Sequence, residues 1–295
     1  RQLETGQVRP RVLVICRDAA LAPLSRHAQE TWLWLQDMPM EGLRRVFRAA
    51  LFHWNMDRVL CISDYQRDRF ARVFEIPAEA VTRSFVRTRN GLDLQAHGLT
   101  LQGAGTDQGR IPGRCVFASA PFRGLAPLLQ AWPEIKERAP HATLEVMGGM
   151  VTYDQPDAPF AHLYASAADL PGVTVTGAVP QAELVAAMRR AELLLYPATF
   201  REAGCIVVQM AHAAGAPPVT SSLACLPEYV GRRGLLVQGH PRGGGPDAEA
   251  FLTRFIQQTV TLLGDRHRLA EHRRRCVAHD VGWESVLDQW VAWAR

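Results

Sequence analysis

The sequence predicts an α/β fold of two domains, each a parallel sheet covered by helices, facing each other across a cleft. Three observations carry this expectation. Short apolar runs rich in β-branched residues alternate with helical stretches of about ten to fifteen residues. One glycine-rich, polar stretch, residues 96–111, has little periodicity and divides the alternation in two. Turns bearing glycine or an acidic residue follow the strands at their carboxyl ends, where open α/β sheets bind ligands.

The elements follow in order. RVLVIC (11–16), WLWLQD (32–37) and RVLCIS (58–63) read as buried parallel strands. EGLRRVFRAALFHWN (41–55) has helical apolar spacing. Ser63 or Asp64 caps a helix that ends before Pro77. VTRSFVRTRNGLD (81–93) reads as a strand closed by an Asn-Gly turn. Beyond the linker, RCVFAS (114–119) is a strand, and GLAPLLQAWPEIKERAP an amphipathic helix with Leu125, Leu128, Leu129 and Trp132 on one face. Strands ATLEVMGG (142–149), GVTVTGAV (172–179) and ELLLYPA (192–198) follow, with a helix at 181–191 between the last two. A helix over 206–214 closed by Gly215, a strand at 217–222, a short helix at LPEYVG and a strand at 234–239 come next. Two C-terminal helices complete the reading, the second around ESVLDQWVAWA (284–294).

Composition excludes several classes. At 295 residues, 47% hydrophobic and 21% charged, the chain suits about two ordinary domains. No apolar run approaches the roughly 18–20 residues of a membrane span. The formal net charge of +4 is nearly all arginine, with Lys136 the only lysine. Such a bias points to GC-rich coding DNA of a bacterial kind more than to a ligand. Arg273–Arg275 read as a solvated helix face, with a polyanion or membrane patch as the rival. Nucleic acid is not indicated, and peripheral membrane contact stays open. Six scattered cysteines form no CxxC pair and no zinc-like cluster with histidine, which points to buried thiols in a reducing cytoplasm.

FREAGCIVVQMAHAAG (200–215) carries the chemistry. The strand LLLYPA runs into a turn at Phe200–Gly204, and a helix follows. The unpaired amides and dipole of that helix favour an anion, typically a phosphate. A carboxylate there, Glu202, has two explanations: it caps the helix, contributing about 0.5–2 kcal/mol, or it accepts sugar hydroxyls beside a bound phosphate.

The order of these features resembles the donor half of retaining GT-B glycosyltransferases of the family-4 type, the glycosyl transferases group 1. The resemblance runs from FASAPFRGLAPLLQAWPEIKERAP through VTVTGAVPQAEL and LYPATFREAGCIVVQMAHAAGAPPVTS to CLPEYVG and GLLV. It implies two Rossmann-like domains: residues 1–100 acceptor-side, 101–275 donor-side, and 276–295 a helix packing back on the first. It also implies transfer of a hexosyl group from a nucleotide diphosphate sugar with retention, without a cofactor or metal, to a carbohydrate, lipid or small-molecule hydroxyl. Glu202 matches the first acid of the family's E-x7-E motif. Ala203, Gly204, Cys205 and Ile206 match the turn whose amides meet sugar and diphosphate. Arg123 and Gly124 match the basic residue and glycine at the diphosphate, a task suited to a planar guanidinium; the bland reading of Arg123 is an exposed loop arginine. Gly148, at the end of a strand, and Val179, in the GAVPQ loop along the base, complete the donor set with Gln209 and Met210. GAVPQ reads equally well as an ordinary turn.

Departures from the family pattern matter. Met210 stands where the second acid is expected, and adjacent Gln209 is rotated about 100° around the helix. Ala118 stands where a second arginine is usual. A non-catalytic, degenerate glycosyltransferase-like binding protein is therefore the alternative. The first domain carries fewer strands than the family's, and with Arg1 in place of methionine the expectation is an incomplete first domain. On its cleft side His27, Asp37 and His53 are the polar candidates, and Asp37 is the one expected near the reacting centre, with a turn cap as its bland reading. Both histidines read as structural. A dehydrogenase is disfavoured because no GxGxxG follows a strand; Gly243–Gly245 lie in a loop. A two-carboxylate hydrolase is disfavoured because Glu202 has no second acid to pair with.

Overall fold

The computed structural model describes residues 9–54, 56–96 and 104–294. The chain divides into two units, one of residues 1–91, 202–204 and 284–295, the other of 92–201 and 205–283. Part of the expected linker, residues 97–103, lies outside the described residues.

The first unit holds a four-stranded parallel sheet of β1 (Val12–Cys16), β2 (Glu30–Trp34), β3 (Arg58–Cys61) and β4 (Phe85–Arg87), paired in that order. Helices α1 (Arg44–Phe52), α2 (Asp64–Val73) and α3 (Ala78–Ser84) accompany it. Ser63 is the cap of α2, its Oγ accepting the Gln66 N–H at 3.0 Å. The rings of Phe47, Phe70 and Phe74 pack with centroids 5.0, 5.1 and 5.2 Å apart. With Leu33 and Val59 they form an apolar core whose burial drives the helices onto the sheet.

The second unit holds a six-stranded parallel sheet. In chain order its elements are β5 (Arg114–Ala118), α4 (Leu125–Arg138), β6 (Thr143–Met147), α5 (Ala161–Ala168), β7 (Val173–Gly177), α6 (Gln181–Arg190) and β8 (Leu193–Tyr196). Then follow α7 (Ile206–Ala214), β9 (Pro218–Ser221), α8 (Leu226–Val230), β10 (Leu235–Val237), α9 (Gly245–Gly264) and α10 (Arg266–Val277). The strands lie in the order β10-β9-β8-β5-β6-β7. The chain therefore winds outward from β5 to β7, then restarts at β8 and winds the other way. The central strands are mostly apolar and almost wholly buried, as a sheet covered on both faces requires.

A closing helix, α11 (Trp283–Trp293), completes the chain. From residue 284 onward it belongs to the first unit. There Trp290 meets Trp34 and Trp32 edge to face at 5.0 and 6.4 Å, and Trp293 meets Trp32 at 6.3 Å. The Trp290 indole N–H donates to Thr88 Oγ1 at 2.8 Å.

Several expectations are corrected. The strand expected over 81–93 is much shorter: α3 runs to Ser84, only Phe85–Arg87 pair as β4, and the chain leaves the sheet after Arg87. Helix-forming residues behind Pro77 outweigh the β-branched Val81 and Thr82. The strand at 32–37 ends at Trp34. The helix at 41–55 begins with a 3-10 turn, and regular helix starts at Arg44. The C-terminal region holds three helices rather than two, because Asp265 stops α9 and caps α10, accepting the Arg268 N–H at 2.9 Å. The third glycine of Gly243–Gly245 opens α9 instead of lying in a loop. The 3-10 helix Ala19–His27 and α5 fall in stretches without a clear period.

Candidate functional site

The strand order places a topological switch point between β5 and β8, whose following loops run in opposite directions. Such a point opens a crevice at the carboxyl ends of the strands. The loop after β5 carries Phe122, Arg123 and Gly124; the loop after β8 carries Thr199 and Phe200. Two bonds tie them together: the Thr199 N–H donates to the Arg123 carbonyl at 3.0 Å, and the Thr199 hydroxyl to the Phe122 carbonyl at 2.9 Å.

Close backbone approach sets the rest of this rim. Gly124 has φ +148°, and a Cβ there would sit 2.6 Å from the Pro197 carbonyl oxygen. Gly148, at the end of β6, has φ +116°, and a Cβ would sit 2.5 Å from the Ser119 carbonyl oxygen. Only glycine fits either position without displacing backbone. The turn after Gly148 is held by Asp157, which accepts the Met150 N–H at 2.7 Å, and by the Tyr164 hydroxyl, 3.3 Å from the Gly148 carbonyl. Burial, then the nearby Asp157 carboxylate, pushes the Tyr164 phenol up to about 12, so it stays a donor.

Arg123 stands in an aromatic collar. Its guanidinium carbon is 4.5 Å from the Phe200 ring centroid, 5.5 Å from Phe122 and 5.6 Å from Tyr153. Phe122 in turn packs on Phe200, Tyr153 and Phe160. Stacked rings occupy the faces of a guanidinium and leave its N–H edge for planar oxyanions. The sequence reading missed this collar. Phe122 and Phe200 were in view beside Arg123 and Glu202, but Tyr153 and Phe160 lie in a stretch without a regular period.

Helix α7 supplies the second feature. Its N-cap is Cys205, whose side chain makes no capping bond, and Gly215 ends it in the left-handed conformation. Cys205, Gln209 and Met210 are buried, while Ile206 is exposed at the first turn. The Gln181 amide meets Met210 Sδ at 3.7 Å, which brings the Val179 loop to this helix. The second unit thus gathers Arg123 and Gly124 with Gly148, and joins the Val179 loop to Met210. Residues 202–204 group with the first unit, where the Ser63 hydroxyl donates to the Ala203 carbonyl at 2.6 Å. Glu202 is 4% exposed.

In the first unit, Asp37 follows β2 and pairs with Arg17 at 3.5 Å. Its carbonyl accepts the buried Gln66 amide at 2.9 Å, which fixes the loop to α2. Beside it lies an apolar cavity of about 150 Å³ with Leu35, Met40, Phe47 and Phe70 among its lining, and Arg17 and Asp37 in its wall. His27 accepts from Arg26 Nε at 3.0 Å, and His53 packs edge to face on Trp54 at 5.0 Å. No described helix is long and apolar enough to cross a membrane.

Residues 113–259 match the family model described as Glycosyl transferases group 1. The chain is 28% identical over 280 residues to a GDP-mannose-dependent alpha-(1-6)-phosphatidylinositol monomannoside mannosyltransferase of Mycolicibacterium smegmatis, covering 90% of this chain and 65% of that protein. It is 30% identical over 205 residues to a D-inositol 3-phosphate glycosyltransferase of Nocardia farcinica, covering 64% of this chain and 43% of that one. Among solved structures, the pneumococcal O-GlcNAc transferase GtfA, in complex with UDP and GlcNAc, superimposes with a TM-score of 0.73 at 12% identity, covering 99% of this chain and 58% of that one. The chain spans less than two thirds of the length of these curated relatives.

Proposed function

Residues 113–259 are a glycosyl transferases group 1 domain within an α/β chain of the GT-B class, and from that premise we propose that the chain transfers a sugar from a nucleotide diphosphate sugar to an acceptor hydroxyl. The observation that carries the reading is Arg123: a collared guanidinium at the switch point between β5 and β8, inside the matched segment.

In this reading Arg123 and the amides opening α7 receive the charge that builds on the leaving diphosphate. Donors fixed in place before reaction stabilise such charge without reorganisation. Charge-assisted bonds of this kind contribute about 1.5–3 kcal/mol each. Glu202, on the turn leading into α7, accepts hydroxyls of the transferred sugar. Transfer proceeds with retention and without a metal ion, the departing phosphate taking the acceptor proton. The acceptor is assigned to the first unit, with its hydroxyl near Asp37 and an apolar portion in the adjoining cavity. The mannosyltransferase relative, whose name gives GDP-mannose and a phosphatidylinositol mannoside, supports a lipid-type acceptor and a guanosine donor.

Met210 supports the rival reading of a non-catalytic binding protein, since a thioether is a poor partner for a ribose hydroxyl. Calorimetric titration of GDP, UDP, ADP and dTDP separates the two, on the wild type and on Arg123→Ala. The donor reading expects one nucleotide to bind in the micromolar range and to lose about a hundredfold or more in the variant. Transfer from the matching nucleotide sugar to a lipid acceptor then tests catalysis. No binding of any nucleotide at millimolar concentration would sink the donor site. Binding without transfer would leave the non-catalytic reading standing.

A further inference from the structure

At the other end of α7 from the proposed donor turn lies a wide-mouthed cavity of about 420 Å³, lined by Arg232, Arg233, Arg275, Ala278 and His279. Four of these five side chains are basic. Arg275 pairs with Glu271. Among the described residues, neither Arg232 nor Arg233 has an acidic partner. Arg233 gives one donor to the Tyr229 carbonyl at 2.6 Å, while its buried Nε has no acceptor.

The wall behind the cavity has the same imbalance. His212, in the last turn of α7, is fully buried, and neither ring nitrogen has a hydrogen-bond partner among the described residues. Its ring lies 6.1 Å from that of His279. Burial, with Arg233 and His279 adding repulsion, holds the His212 pKa well below its usual value. Arg233, Arg110 and Arg273 all act on Cys276, so three guanidinia crowd one buried thiol. Arg273 is 1% exposed; it pairs with Asp107, yet its Nε and Nη2 lack acceptors among the described residues.

Helix C-termini explain part of this cluster, because cations there offset the helix dipole. Arg110 does so for α7, donating to the Ala214 carbonyl at 2.7 Å, and its remaining donors also reach carbonyls. Arg110 is thus accounted for, while the charges of Arg232 and Arg233 have no acidic counterpart among the described residues. Buried donors without acceptors, next to unbalanced charge, destabilise a fold unless an acceptor reaches them. An oxyanion does so best, since a guanidinium fork matches two of its oxygens at once.

We propose that the cavity bounded by Arg232, Arg233, Arg275 and His279 is a second anion site that takes a phosphoryl group, from a free phosphate compound or from a phospholipid head group. It is independent of the donor reading and differs from the donor turn in place and residues. The test uses the full chain carrying Arg123→Ala, so that the donor turn does not report. Inorganic pyrophosphate and sn-glycerol 3-phosphate are titrated by calorimetry, then repeated after adding Arg232→Ala and Arg275→Ala. Both arginines are at least partly exposed, so the variants are expected to fold, and circular dichroism checks that they do.

The proposal expects saturable binding in the Arg123→Ala background, weakened tenfold or more by the two added substitutions. Preference for pyrophosphate identifies a free anion; preference for glycerol 3-phosphate identifies a head group. Absence of binding by both probes overturns the site, as does binding that the added substitutions leave unchanged. Loss of binding on Arg123→Ala alone overturns it too, because the anion would then belong to the donor turn.

Discussion

The two units share a covered parallel sheet and differ in what lies around it. In the second, the central strands β5, β8 and β9 are almost wholly buried. In the first, β2 and β3 are mostly buried too, and each sheet has a partly exposed edge, β1 here and β7 there. Met40 is 60% exposed, and Leu21, Leu43 and Phe52 also reach solvent. The family match falls on the second unit. There a compact scaffold holds glycines in conformations no other residue tolerates and so fixes the positions of Arg123 and its rings. The lesson is that precision at a site draws on burial beneath it. The first unit offers apolar surface beside its cavity, which suits a variable or greasy partner.

The largest effect that would sharpen this contrast is at Gly148. Gly148→Ala adds positive-φ strain and drives a Cβ into the Ser119 carbonyl. We expect a loss of about 3 kcal/mol or more in the second unit, read from its urea transition; a shift under 1 kcal/mol would show the rim to be pliable. Trp290→Ala is the counterpart in the first unit. Loss of its ring contacts and its bond to Thr88 is expected to cost about 3 kcal/mol there. Unfolding followed by near-ultraviolet dichroism checks it, and an equal loss in the second unit would contradict the contrast.

Phe200→Leu keeps bulk but removes the nearest ring from Arg123. About tenfold weaker binding of the preferred nucleotide is expected, with Phe200→Tyr restoring it. Equal affinity in all three proteins would reduce the collar to packing. A smaller effect comes from pH. His212 and His272 are both depressed by burial, so the unfolded chain binds protons that the folded one refuses. Stability is then flat above about pH 6.5 and falls below it, by at most about 1.4 kcal/mol per pH unit for each histidine. His212→Gln should remove one histidine's share, and an unchanged slope in thermal melts at pH 5–7 would refute this. The smallest effect is chemical. Cys16 is the exposed thiol, and burial pushes Cys61, Cys115 and Cys276 upward, away from reactivity. Native alkylation should label one thiol and leave stability unchanged; mass spectrometry counts the adducts.

Much of the second unit was legible because its signals are local. LLLYPA, the Gly215 stop and the spacing of α4 each read from a few neighbouring residues. Glu202 is singled out by its turn in the same local way, whereas Arg123 is singled out by the family resemblance. What escaped depends on distant residues. The collar draws its rings from three loops between Phe122 and Phe200, and no window of sequence contains it. The Asn-Gly pair suggested a strand and turn at 81–93, but helix α3 arose from packing of Ala80 and Ser84 into the core. The Ser63 hydroxyl reads as a cap; its second role, donating to the Ala203 carbonyl, joins residues 140 positions apart.

The closing helix also constrains how the molecule comes into being. Arg58 donates to the Trp293 carbonyl across 235 positions, and Thr88 meets Gln289 across 201. A ribosome delivers these partners in order, so the second unit emerges in full before the first receives its last two indoles. During synthesis the sheet of β1–β4 must wait with Trp32 and Trp34 bare, while the later-made half is free to fold. Birth order and folding order are therefore reversed here. The unit made first is the unit finished last, and its need for protection from aggregation lasts until α11 emerges.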